Sequence, residues 1–127
     1  RGELLAAVEE EGPLLGEEHG AARVEYELAR VGLLEDEARS SGIDVDVRYT
    51  DTSGWYSNYR IGEPTAAAKI IIDKSNDTII GAHLLGPDYG ELINLLGLAM
   101  KVGLTTRQLK SMTATYPSVG SDLGSML

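Results

Sequence analysis

The chain of 127 residues has no cysteine, which excludes a disulfide framework, a thiolate metal site and a redox dithiol within these residues. Only His19 and His83 offer imidazole, and nothing in their spacing brings them together, so no metal site is expected. No apolar run approaches the roughly 20 residues that span a bilayer. The start lacks the charged, apolar, small-residue order of a signal peptide. The expectations are no membrane partner and a cytoplasmic location. Basic clusters are also missing: residues 1–51 carry 14 acids against 5 bases, and residues 52–127 carry 6 of each. Nucleic-acid binding needs Lys and Arg to displace counterions and is not expected. The net charge of −9 reads as a solvated acidic face that keeps the chain soluble. Gly81, Gly86, Gly90, Gly97 and Gly103 have the wrong spacing for a phosphate-binding fingerprint, and no βαβ unit surrounds them.

What is present suits one globular domain, since 43% apolar residues in a chain of this length can form a hydrophobic core. Glu3 to Glu11 is rich in Ala, Leu and Glu and predicts a helix stopped by Gly12-Pro13. Arg23–Leu28 predicts a short strand, and Glu35–Ser41 a short helix ended by Gly42. Ile43–Tyr49 alternates strictly, which predicts a strand burying Ile43, Val45, Val47 and Tyr49 on one face. Two apolar runs, Ala66–Asp73 and Thr78–Leu85, flank Lys74-Ser75-Asn76-Asp77 and predict a hairpin. A helix follows over Tyr89–Val102, closed by Gly103, with Thr105 or Thr106 capping a further short helix. The order β-α-β-β-β-α-α gives an α+β fold, an antiparallel β-sheet with helices packed on one face.

Three segments and a closing motif resemble a known family. They are Ala29-Arg30-Val31-Gly32-Leu33-Leu34-Glu35-Asp36-Glu37-Ala38, the hairpin from Lys69 through Gly86-Pro87, and Glu91-Leu92-Ile93-Asn94 with Ala99-Met100-Lys101 and Gly103-Leu104-Thr105. The closing motif is Tyr116-Pro117-Ser118-Val119-Gly120-Ser121-Asp122. Together they resemble the C-terminal dimerisation domain of the pyridine nucleotide-disulfide (FAD/NAD-linked) oxidoreductases, glutathione reductase among them. Asp51–Ser57, Asp-Thr-Ser-Gly-Trp-Tyr-Ser, is similar to a glutathione-reductase-like subgroup that also closes on Tyr-Pro. Residues 1–22 then read as a helical extension, a remnant of a flavin domain or a non-native addition, and residues 23–127 as the dimerisation domain.

The resemblance implies a homodimer whose parent is an FAD-dependent, NAD(P)H-using oxidoreductase, with neither cofactor bound by this fragment alone. It implies that Tyr116, Pro117 and Ser118 touch the partner subunit's flavin, and that the Tyr116-Pro117 bond is a candidate for a cis turn. The family motif is His-Pro-Thr-x-x-Glu; here Tyr116 stands at the His position and Ser121 at the Glu position. A phenol ordinarily titrates at about 10 and is a poor base near neutral pH, so standard thiol–disulfide exchange is in doubt. Asp122, one residue further on, would point elsewhere on a helix. The Leu92–Met100 stripe is broad enough to serve both core and dimer, and Leu92, Asn94, Leu95, Leu96 and Met100 are the candidate interface residues. Trp55, Tyr56, Tyr59 and Arg60 suit either a planar ligand or a surface lid. His83, within an apolar strand, reads as structural. The alternative of another class is a stand-alone homodimeric interaction module without redox chemistry.

Overall fold

The computed structural model describes residues 28–127. The helix expected over 3–11, the extension over 1–22 and all but the last residue of the strand expected over 23–28 lie outside the described residues. Four antiparallel strands form one sheet: β1 (Leu28–Gly32), β2 (Val45–Asp51), β3 (Ala67–Asp73) and β4 (Thr78–Leu85). Their spatial order is β1-β4-β3-β2. The central pair β3 and β4 is the expected hairpin, and it is buried on both faces, as its nearly unbroken apolar runs require. The edge strand β2 buries only Val45, leaving Val47 and Tyr49 half-buried. Its alternation was legible, but an edge position shields one face incompletely.

The turn between β3 and β4 is built by short polar side chains. Asp73 accepts hydrogen bonds from the Ser75 amide at 2.8 Å and its hydroxyl at 2.7 Å. Asp77 adopts φ +58°, a left-handed conformation that Asp tolerates. A bulge interrupts the ladder: Ile71 faces Gly81 and Ile72 faces Ile79, so Ile80 is the extra residue. The bulge switches the parity of β4. Ile79 joins Ala82 and Leu84 in the main core, while Ile80 turns to the opposite face.

Five helices occur among the described residues: α1 (Glu35–Ser40), α2 (Tyr56–Tyr59), α3 (Tyr89–Val102), α4 (Thr106–Lys110) and α5 (Val119–Met126). The long helix α3 lays Tyr89, Leu92, Leu96 and Ala99 against Ala68, Ile70, Ile72, Ala82 and Leu84. Each buried aliphatic side chain contributes about 1.5–3 kcal/mol, so this contact dominates the fold's stability. Gly103, at φ +72°, ends the helix, and the Leu104 amide donates back to the Ala99 carbonyl at 2.9 Å. Helices α4 and α5 add Leu109, Leu123 and Met126 to the same core. The expected one-sided helical layer is thus α3, α4 and α5. Helix α1 in addition covers part of the other face, where Ala38 meets Val45 and Ile71. The short α2 and the closing α5 were not expected from the sequence.

Thr105 caps α4, accepting the Gln108 amide at 3.1 Å. The Asp77 carboxylate joins this cap to the hairpin, accepting the Thr106 hydroxyl at 2.5 Å and the Arg107 amide at 3.2 Å. The Thr106 hydrogen bond holds the Asp77 pKa below the ordinary carboxylate value. A depressed folded-state pKa stabilises the fold above the unfolded value and loses that effect as pH falls through the folded one. Asp77→Asn is therefore expected to lower the melting temperature at neutral pH. The deficit against the parent chain should shrink as pH drops below 3.8, in thermal unfolding followed by circular dichroism. Leu96→Ala should cost about 2–5 kcal/mol in urea unfolding.

Candidate functional site

The segment from Thr52 to Glu63 folds over one end of the sheet around a buried polar cluster. Thr52 and Tyr89 are fully buried, and Asn58 is nearly so. The Thr52 hydroxyl and the Tyr89 phenol are 2.7 Å apart. The Asn58 amide nitrogen donates to the Thr52 carbonyl at 2.9 Å and to the Tyr89 phenol at 3.3 Å. Burial raises the Tyr89 pKa against the opposing effect of the Thr52 and Asn58 hydrogen bonds, with the Asp122 charge adding to the rise. The phenol is a neutral structural group. Gly86, at φ +150°, leaves space for it: a Cβ there would stand 2.9 Å from the Tyr89 ring.

Helix α5 is joined to this loop through a second hydrogen bond, in which the Ser57 hydroxyl donates to Asp122 Oδ2 at 2.7 Å. Ser118 caps α5, accepting the Ser121 amide at 3.1 Å and donating its hydroxyl to the Thr115 carbonyl. Ser121, at the family's Glu position, donates its hydroxyl to the Ser118 carbonyl at 2.7 Å and accepts the Ser118 amide at 3.1 Å. The polar side chains of Ser118, Ser121 and Asp122 are thereby engaged within the chain. Tyr116 is 77% exposed, at the tip of a stretch exposed from residue 113 to 117. The Tyr116-Pro117 peptide is cis. Asp122, one residue beyond the family's Glu position, is engaged with Ser57.

A cleft of about 430 Å³ separates the closing segment from the first turns of α3. Pro117, Ser118 and Gly120 form one wall, Asp88, Glu91 and Leu95 the other, and Arg60 stands at its edge. The structure thus brings Pro117 and Ser118 together with Leu92 and Leu95 of the expected interface, and with Arg60 of the aromatic segment. It divides the five interface candidates. Leu92 and Leu96 are 3% and 0% exposed and belong to the core of the protomer itself, and Met100 packs against that core. Asn94 is exposed and Leu95 half-buried. The accessible stripe of α3 continues through Leu98 and Val102, both about 60% exposed, which the sequence reading did not single out. Trp55 packs on the core, whereas Tyr56 and Tyr59 point outward. His83 is fully buried, its Nε2 lying 3.2 Å from the Leu33 carbonyl oxygen, a structural placement.

The sequence reading missed the Thr52–Asn58–Tyr89 cluster, the Ser57–Asp122 bond and the burial of Glu63. Their partners are 31 to 65 residues apart where they pair over distance, and no local periodicity signals such contacts. No group of three or more metal-ligating side chains occurs among the described residues, and no described helix is long and apolar enough to cross a membrane.

The sheet order, the crossing helix and the closing segment define an α+β module with a four-stranded antiparallel sheet. Residues 21–126 match the family model described as pyridine nucleotide-disulphide oxidoreductase, dimerisation domain, and the chain belongs to that family. It is 40% identical over 100 residues to an uncharacterized 19.7 kDa protein in a mercuric resistance operon of Staphylococcus aureus, covering 79% of this chain and 56% of that protein. It is 31% identical to dihydrolipoyl dehydrogenase of Mycobacterium tuberculosis over 76% of this chain and 21% of the enzyme. Its fold is similar to that of the HOCl-induced flavoprotein disulfide reductase RclA from Escherichia coli. In the copper(II) complex of RclA the TM-score is 0.74 with 30% identity, over 78% of this chain and 22% of that one. The chain therefore spans just over half of one relative and about a fifth of the reductases. Family members are flavoproteins that use FAD and NAD(P)H.

Tyr89→Phe removes the phenol from two buried polar partners. It is expected to cost about 1–3 kcal/mol in urea unfolding, and to raise amide hydrogen exchange from Thr52 to Glu63 more than in the strands.

Proposed function

We propose that this chain is the homodimerising part of an FAD-dependent NAD(P)H oxidoreductase, and that its closing segment completes the flavin site of the partner subunit. The observation that carries this reading is the anchored, outward-pointing stretch ending in Tyr116-Pro117, fixed at its base by the Ser118 cap and the Ser57–Asp122 bond. The donor set suits such a neighbour: residues 111–119 carry no charged side chain and present an aromatic ring, a phenol and hydroxyls. FAD held there supplies electron transfer from NAD(P)H. Tyr116 covers or hydrogen-bonds the flavin, Pro117 sets the approach of the backbone, and Ser118 keeps the turn rigid. The family's His–Glu pair has no counterpart here, because Ser121 serves the helix cap and Asp122 serves Ser57. The reaction of the parent is therefore one in which this segment shapes the flavin environment without acid–base work.

The dimer contact falls on the accessible stripe of α3, with Asn94 and Leu95 from the original set joined by Leu98 and Val102. A second reading, a stand-alone homodimeric module without redox chemistry, is favoured by one observation. The 40% identical relative has a mass of only 19.7 kDa, and this chain already accounts for 56% of its length.

Leu95→Asp and Leu98→Asp are each expected to weaken self-association about tenfold or more, as a charge in an interface core does, with circular dichroism unchanged; light scattering on a size-exclusion column reads it. Two folded variants with the parent's mass distribution would remove α3 from the interface. Tyr116→Ala in the full-length flavoprotein is expected to alter flavin fluorescence while leaving the dimer intact. An unaltered flavin spectrum with an intact dimer would favour the stand-alone reading.

A further inference from the structure

A second pocket, of about 300 Å³, lies under the loop that carries α2, lined by Ser53, Gly54, Tyr59, Gly62, Glu63 and Pro64. Glu63 is only 2% exposed, unusual for a carboxylate. Its Oε1 accepts the Thr65 amide at 2.7 Å, and its own amide donates to the Asn58 carbonyl at 3.0 Å, so the residue is fixed in place. Its second oxygen, Oε2, is buried and has no hydrogen-bond partner. Among the described residues no cation pairs with it. Two donors of the wall are already committed, the Ser53 hydroxyl to Asp51 at 2.6 Å and the Gly62 amide to the Tyr59 carbonyl at 3.0 Å, and Pro64 has no amide hydrogen. A buried acceptor without a donor carries an uncompensated desolvation cost, which a bound donor would remove.

We propose that this pocket is a binding site for one cationic nitrogen group on an alkyl stem, a guanidinium or a primary ammonium, held by Glu63 and covered by the Tyr59 ring. A charged N–H donor makes the strongest hydrogen bond to a carboxylate. A tyrosine face attracts a cation, and Pro64 with two glycines leaves the walls free of competing charge. The net charge of −9 favours the approach of cations over anions. A divalent metal fits less well, because no cluster of ligating side chains surrounds Glu63 among the described residues. As the wall stands, Oε2 is closed to solvent, so entry requires a side chain to turn aside.

The test is a titration of the isotope-labelled 127-residue chain with methylguanidine and with n-butylammonium at constant ionic strength, followed by amide chemical shifts. Saturable shifts at Gly54, Gly62 and Thr65 are expected, with none from acetamide or sodium chloride. Affinity should fall at least tenfold in Glu63→Gln and several-fold in Tyr59→Ala. Shifts of the same amides on raising protein concentration alone, reversed by methylguanidine, would identify a basic side chain of a second copy as the source of the cation. Their absence would assign the site to a free amine. Non-saturating shifts, or equal affinity in Glu63→Gln, would overturn the proposal. If Glu63→Gln does not fold, Tyr59→Ala decides, since its exposed ring is outside the core: unchanged affinity there would also overturn it.

Discussion

The phenol of Tyr89 is the point on which the functional end of the molecule depends. It belongs to the first turn of α3, the helix that covers the sheet, yet its oxygen is bonded to Thr52 and Asn58 of a loop that has almost no regular structure of its own. Low dielectric strengthens each of these bonds and makes a missing partner costly. The loop is therefore held in one conformation by polar contacts where it has too few apolar ones. Ser57, one residue from Asn58, is thereby placed to receive Asp122, and α5 is seated against the core by Leu123 and Met126. The position of Tyr116 follows from this series of contacts. The sheet sets α3, α3 sets the loop, the loop sets α5, and α5 sets the tip.

The same contacts define what the closing segment can do. A pair of groups that exchanges protons near neutral pH has to hold one group ready and orient it with the other. Here the two oxygen-bearing side chains nearest the relevant positions are already engaged, Ser121 with the backbone of Ser118 and Asp122 with Ser57. What protrudes is the Tyr116 ring, beyond the capped start of α5. The architecture of a reductase dimerisation domain is retained, while the His and Glu positions of the family motif hold Tyr116 and Ser121.

The parts of this fold that were legible in the sequence are those set by burial over many residues. The hairpin, α3 with its Gly103 stop and the Thr105 cap all fall within one residue of their expected limits, because apolar runs and end signals act locally. Two helices were not legible. Tyr56–Tyr59 is a single turn and too short to show a period, and α5 contains Gly120 and Gly124, which disfavour helix and are offset by the Ser118 cap and buried Leu123 and Met126. Of the strand expected over 23–28 only Leu28 lies within the described residues, and there it opens the edge strand Leu28–Gly32, whose short run has little alternation to read. Tyr116, Pro117 and Ser118 are candidates named through the family motif alone. The polar cluster and Glu63 were invisible, since whether a Thr, Asn or Glu is buried depends on contacts that only the folded chain creates.

The proposed role of the closing segment requires Tyr116 to reach another subunit. The most direct measurement is photo-crosslinking of the full-length protein with p-benzoylphenylalanine in place of Tyr116, followed by mass spectrometry of the adduct. A crosslinked dimer is expected, with its adduct in the partner's flavin-binding region. An adduct confined to the same chain, or a monomer that resists crosslinking while remaining folded, would contradict it.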